Sequence, residues 1–231
     1  EAYRVEVARD GLELAAADRA GIRYGLECLR HLVADGVHGD GRVCIGHIAD
    51  EPAFSPRGMH LRFSIPSLSF EQAQRMLEAM GRWRLNTVLL EYNGQFPYSR
   101  HPGIPAPDAF SPDQVASLLA QAHRLGIEAI PLHQCLGHME FVLQREGFGH
   151  LSEEAEFRDQ FCPLNPAALA LFRDCVDDLL EAHPGIRYFH IGGDETRRLG
   201  NCPRCAEVVA RAGKGRLYLD YVLQAAEYVR S

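Results

Sequence analysis

Asn86-Thr87-Val88-Leu89-Leu90-Glu91-Tyr92, then Ser111-Pro112 through Leu125-Gly126, then Ile127-Glu128-Ala129-Ile130-Pro131-Leu132-His133: this succession decides the fold. The first and last runs are short and apolar, as in strands buried on both faces of a parallel sheet. Between them, Pro112 suits the first position of a helix and Gly126 the position where one stops. Parallel strands cannot be joined by a tight turn, so a helix must cross over between them. The same unit repeats on either side. Upstream, Gly58 to Phe63 reads as a strand and Phe70 to Trp83 as a helix, with Ser69 as N-cap and Gln72 completing a capping box. Downstream, Asn165-Pro166 opens a helix ending near His183-Pro184-Gly185. Ile186 to Ile191 then reads as a fourth strand, and residues 204–230 are helical again.

Four such units fit either half of a (β/α)8 TIM barrel or a small open sheet. Polar residues gather at every strand's carboxyl end, where barrel enzymes build their sites: Arg62 and Ser64, Glu91 and Asn93, His133, Gln134 and His138, Asp194 and Glu195. No glycine-rich phosphate loop follows the first strand, which weakens the open nucleotide-binding sheet. A complete barrel takes about 250 residues, whereas residues 57–231 number 175. The expectation for 50–231 is therefore the N-terminal half of a barrel, closed by residues beyond Ser231 or by a second copy in a homodimer. Before Asp50-Glu51-Pro52 the pattern differs. Residues 3–7 and 12–16 flank an Asp10-Gly11 hairpin signal, a helix spans 21–32 with apolar residues at 22, 26, 29 and 32, and 43–48 reads as a strand. Residues 1–49 read as part of a small accessory α+β domain.

Composition narrows the partners. A net charge of −7 supplies no basic stripe for nucleic acid, and no apolar run approaches the roughly 20 residues of a membrane span. Seven scattered cysteines suit a reducing, cytoplasmic setting better than a disulfide framework. Cys202-Pro203-Arg204-Cys205 has the spacing of half a metal knuckle, but a structural zinc takes four ligands and no second C-x-x-C exists. A cysteine-containing turn outweighs a metal site there. No metal and no cofactor is expected.

The chemistry concentrates in His190-Ile191-Gly192-Gly193-Asp194-Glu195. Adjacent carboxylates sharing a site raise one pKa, which a general acid near neutral pH requires. On these residues alone a second reading stands level with it, an acidic turn in which Asp194 caps the next helix. The hexapeptide is similar to the catalytic signature of glycoside hydrolase family 20, the β-N-acetylhexosaminidases. Ile48-Ala49-Asp50-Glu51-Pro52 with Arg57-Gly58, and residues 3–32, extend the likeness. Glu91-Tyr92, Phe96-Pro97-Tyr98, residues 137–143 from Gly-His, and Leu164-Asn165-Pro166 resemble its hexosaminidase D branch.

That resemblance implies a retaining hydrolase acting on terminal N-acetylgalactosamine or N-acetylglucosamine of glycans, with the substrate's own 2-acetamido oxygen as nucleophile. Glu195 would be the general acid and base, and Asp194 would orient the acetamido group. Gly192 and Gly193 would leave room for the sugar, and His190 precedes them in the binding turn. His138 would join a polar network near Glu195, or else cap the helix after it. Departures accompany the likeness. The family's Asp and sugar-gripping Arg after strand one are replaced by Arg62 and Ile65, its third-strand carboxylate by Gln134, and its second-strand aspartates by Tyr92 and Asn93. Glu91 is the candidate for the missing carboxylate, against a strand-end acid facing solvent. Tyr92 and Tyr98 could wall the sugar, whereas Trp83 is assigned to the core. A relative that binds carbohydrate with weakened catalysis is the alternative.

Overall fold

A computed structural model of the chain describes residues 1–35, 44–64 and 68–231. Val43 and Ile65 lie outside them. The N-terminal sheet is antiparallel, with β1 (Tyr3–Val7) between β2 (Leu12–Ala16) and β3 (Gly46–Asp50). Tyr3 pairs with Ala16 on one side and Asp50 on the other, so β3 runs two residues past the expected Ile48.

Helix α1 (Arg19–Asp35) packs on this sheet with a face that keeps Leu29 and Leu32 of the expected one but not Ile22 and Leu26. Gly21, Tyr24, Gly25 and Cys28 are buried, whereas Ile22 and Leu26 are exposed. The glycines decide the orientation. A Cβ on Gly25 would overlap Leu14 Cδ1, and one on Gly21 would overlap the Ala2 carbonyl oxygen. Only bare backbone can approach the sheet so closely.

The second sheet is parallel, in the order β4 (Gly58–Arg62), β5 (Thr87–Glu91), β6 (Glu128–Leu132). Register places Arg62, Glu91 and Leu132 side by side at its carboxyl edge. The crossovers are α2 (Phe70–Arg82) and α3 (Pro112–Arg124), each opened by a formed capping box, Ser69 with Gln72 and Ser111 with Gln114. Leu77, Met80, Val88, Leu90 and Leu118 fill the layer between helices and sheet. Trp83 is not in that core. It stands at the C-cap of α2, 62% exposed, while Leu77, Met80 and Gly81 occupy the inward face.

Beyond β6 come a short helix α4 (Glu140–Leu143) and a hairpin of β7 (Ser152–Glu154) and β8 (Phe157–Phe161). Helix α5 (Pro166–Ala182) follows, opened by Asn165. The expected fourth strand does not form a ladder. Residues 186–191 touch β6 at one parallel bridge, Leu132 with His190, extended by a hydrogen bond of 2.9 Å from Cys135 N–H to Ile191 O. Gly192 and Gly193, at φ 55° and 97°, bend the chain away immediately afterwards, so few residues can stay in register. The terminal helical stretch is likewise two helices, α6 (Pro203–Ala212) and α7 (Lys214–Arg230), broken at Gly213 with φ 85°.

Two buried histidines tie this fold to pH. His133 Nδ1–H donates to Gln134 O at 2.8 Å, and its ring packs against Phe141 and Phe172. His183 Nδ1–H donates to Leu179 O at 2.8 Å, and its Nε2 accepts from Tyr92 OH at 3.1 Å. Burial lowers both rings from 6.5 to about 4. Between those values the unfolded chain binds protons that the folded chain refuses, so stability falls as pH drops through this window and is untouched by these groups above it. Urea unfolding is expected to show a loss on the order of 2 kcal/mol per ring from pH 7 to pH 5. A midpoint unchanged over that range would contradict this account.

Candidate active site

The site is built where β6 and the 186–191 segment end together. Gln134 is the hinge pin. Its Nε2–H donates to Glu91 Oε1 at 3.2 Å, and its Oε1 accepts from Gly193 N–H at 3.0 Å. The amide therefore links the end of β5 to the Gly-Gly turn. Two further bonds hold that turn: Gly192 N–H donates to His190 Nδ1 at 3.0 Å, and Tyr218 OH on α7 donates to Gly193 O at 3.0 Å.

The glycines serve this packing. A Cβ on Gly192 would overlap Gln134 Oε1, and one on Gly193 would lie 3.1 Å from Cys135 Sγ. In this structure the space each Cβ would take is occupied by Gln134 and Cys135.

Asp194 and Glu195 project from the turn, 67% and 52% exposed. Glu195 sits at φ 52° and His138 at φ 56°, left-handed conformations that cost a side-chain-bearing residue on the order of 1 kcal/mol each. Such strain persists where surrounding structure over-determines it. His138 Nε2 lies 3.5 Å from Asp194 Oδ2 and 3.6 Å from Glu195 Oε2, between the two carboxylates. Arg197 reaches Glu195 Oε1 at 3.1 Å from the other side. Gly137 lets the strands of this corner meet, since a Cβ there would collide with the Asp194 carbonyl oxygen. Two exposed acids thus stand side by side with cationic or protonatable groups against them. A ligand in front of the turn would meet both carboxylates and His138 together.

The other sequence candidates fall elsewhere. Glu91 neither faces solvent nor opens to a ligand. It is 2% exposed, with His60 Nε2 at 2.9 Å and Arg62 Nε at 3.7 Å on Oε2 while Gln134 occupies Oε1. Tyr92 is fully buried, stacked on Phe63 and bonded to His183, so it cannot wall a sugar. Tyr98 is buried beside Phe96. One residue beyond a buried strand, the side chain simply continues the alternation into the core. His190 is exposed but spends Nδ1 on the turn.

Sequence reasoning passed over Gln134 as a link, Tyr218 as a support, and a third thiol. Cys162 Sγ comes within 3.8 Å of Cys202 Sγ and 3.7 Å of Cys205 Sγ. Nothing local marks Tyr218 or Cys162. Gln134 was visible as the replacement for a carboxylate, though its geometry was not.

Residues 54–230 match the family described as glycosyl hydrolase family 20, catalytic domain. The chain belongs to that family. Among relatives, this family 20 chain is similar to hexosaminidase D of Bos taurus, 36% identical over 149 residues, 63% of this chain and 43% of that protein. It is also similar to a beta-hexosaminidase of Akkermansia muciniphila, 27% identical over 245 residues, 92% and 49% of the two chains. Among solved structures, the chitobiase of Flavobacterium johnsoniae superimposes with a TM-score of 0.87 at 20% identity, over 99% of this chain and 38% of that one. An exo beta-N-acetylglucosaminidase of Vibrio harveyi, solved with N-acetylglucosamine, gives 0.82 at 19%, over 99% and 42%. The family 20 fold is thus a TIM-barrel-type α/β fold. The chain spans less than half the length of each of these four proteins.

Proposed function

We propose that the protein is a retaining exo-β-N-acetylhexosaminidase working by substrate assistance, with Glu195 as general acid and base and Asp194 orienting the acetamido group. The observation that carries this reading is the pair itself. Two exposed carboxylates on consecutive residues, set on a turn that Gln134, His190 and Tyr218 hold, cannot flank a sugar from opposite faces. In this reading the nucleophile is the substrate's own 2-acetamido oxygen. His138, 3.5 Å and 3.6 Å from the two acids, positions them relative to each other.

The parallel sheet with the 186–191 segment is read as the first half of the barrel, preceded by the accessory sheet. Its support is an uncovered groove of about 530 Å³ beside that segment, lined by Ile186, Phe189, Ile191 and Val229 together with Arg187 and Arg230. A fifth strand, from further residues of the chain or from a second copy, would cover its apolar part.

The test is release of a chromogenic phenol from aryl β-N-acetylgalactosaminide and β-N-acetylglucosaminide by the full-length protein. Turnover of at least one is expected. Tight binding of a thiazoline analogue of the intermediate, with neither sugar turned over, would instead identify a binding relative whose catalysis lapsed with the family's Arg.

A further inference from the structure

Three thiols, one of them 40 and 43 residues before the other two, meet at a place the catalytic reading does not use. Cys162 follows β8, Cys202 is the N-cap of α6, and Cys205 sits in its first turn. Cys162 and Cys205 are buried and Cys202 is half-buried. The Sγ atoms lie within 4.8 Å of one another, with 3.8 Å and 3.7 Å from Cys162 to the other two. A zinc–thiolate bond of about 2.3 Å in a tetrahedron sets neighbouring sulfurs about 3.8 Å apart. A disulfide would join two of these sulfurs and leave the third, whereas one ion engages all of them.

We propose that Cys162, Cys202 and Cys205 form a zinc site with three thiolate ligands. Among the described residues no fourth His, Cys, Asp or Glu joins the group, so water at the half-exposed Cys202 side completes the tetrahedron. Three thiolates on a divalent ion carry one net negative charge, and the Arg204 guanidinium, 3.8 Å from Cys162 Sγ, stands beside it. Soft sulfur donors select zinc over magnesium or calcium.

The site's place in the fold gives it a purpose. Residues 196–201 join Glu195 to Cys202. Glu153 on β7 already holds their far end, accepting from Gly200 N–H at 2.7 Å and Cys202 N–H at 3.2 Å. A metal bridging Cys162 to Cys202 and Cys205 would fasten that end to the β7–β8 hairpin and fix where the loop bearing Glu195 begins and stops. Its role is to position, not to react.

Metal analysis of the full-length protein, purified under reducing conditions and equilibrated with zinc chloride before removal of excess, should find about one zinc per chain. Cobalt exchanged into the same protein should show thiolate-to-metal charge-transfer absorption, lost in Cys162→Ser. Removal of zinc by a chelator should increase protease cleavage within residues 196–201. Less than about a tenth of an equivalent in the unmodified protein overturns the site whether or not the variant folds. A peptide map showing Cys162 bonded to Cys202 or Cys205 in freshly isolated protein overturns it too.

Discussion

Glu195→Gln is expected to slow hydrolysis of an N-acetylhexosaminide with a sugar or alkyl leaving group by about 10²–10⁴-fold, and of a dinitrophenyl glycoside far less. An alkoxide departs poorly unless protonated in the transition state, whereas an activated phenolate leaves with little help. The isosteric amide keeps the size of the side chain and its bond from Arg197 at 3.1 Å, but has no proton to give. Comparison of kcat/KM for the two leaving-group classes in the full-length protein is the measurement. Equal losses for both would place the general acid on another residue. Azide should restore turnover of the activated substrate if the same residue also activates water as a base.

Gly137→Ala should be nearly as damaging, although position 137 presents no reactive group. The added Cβ collides with the Asp194 carbonyl oxygen, a backbone atom without a rotamer to yield. The turn must retreat, and displacement of a reacting group by about 1 Å can cost on the order of 10²-fold in rate. Overpacking should also remove about 1–3 kcal/mol of stability. Thermal unfolding and kcat measured on one preparation separate the two effects. A variant with unchanged kcat and a lowered melting temperature would show that the turn absorbs the methyl without moving its carboxylates.

The parts legible in sequence were those determined locally. Ser69 with Gln72 and Ser111 with Gln114 announce their helices because capping uses residues three apart. The runs ending at Tyr92 and His133 announce strands because burial on both faces demands unbroken apolar character. The segment 186–191 looked the same and behaved differently. A ladder depends on a neighbouring strand and on the residues after it, here two glycines with positive φ. On α1, Leu29 and Leu32 pack inward as expected and Ile22 and Leu26 do not, because its most intimate contacts belong to Gly21 and Gly25, which an apolar count passes over. Within the site, Asp194, Glu195 and His138 were named from their motifs, and the fold brings them together. Glu91 and Tyr92 were given to the sugar but are both buried, on opposite faces at the end of β5: Glu91 lies against Gln134, His60 and Arg62, and Tyr92 against Phe63 and His183. Cys162 could not be paired with Cys202 from sequence, because contact across 40 positions is a property of the topology.

The Gln134 amide has a direction, and that direction constrains how the family can vary. Its NH₂ faces the Glu91 carboxylate and its oxygen faces the Gly193 N–H. A glutamate at 134 could still accept from Gly193, but its second oxygen would stand about 3 Å from the Glu91 carboxylate. The two acids would then have to share a proton, or lean on His60 and Arg62 at the other Glu91 oxygen to balance the added charge. Across relatives the two positions should covary, with Glu–Gln commoner than Glu–Glu.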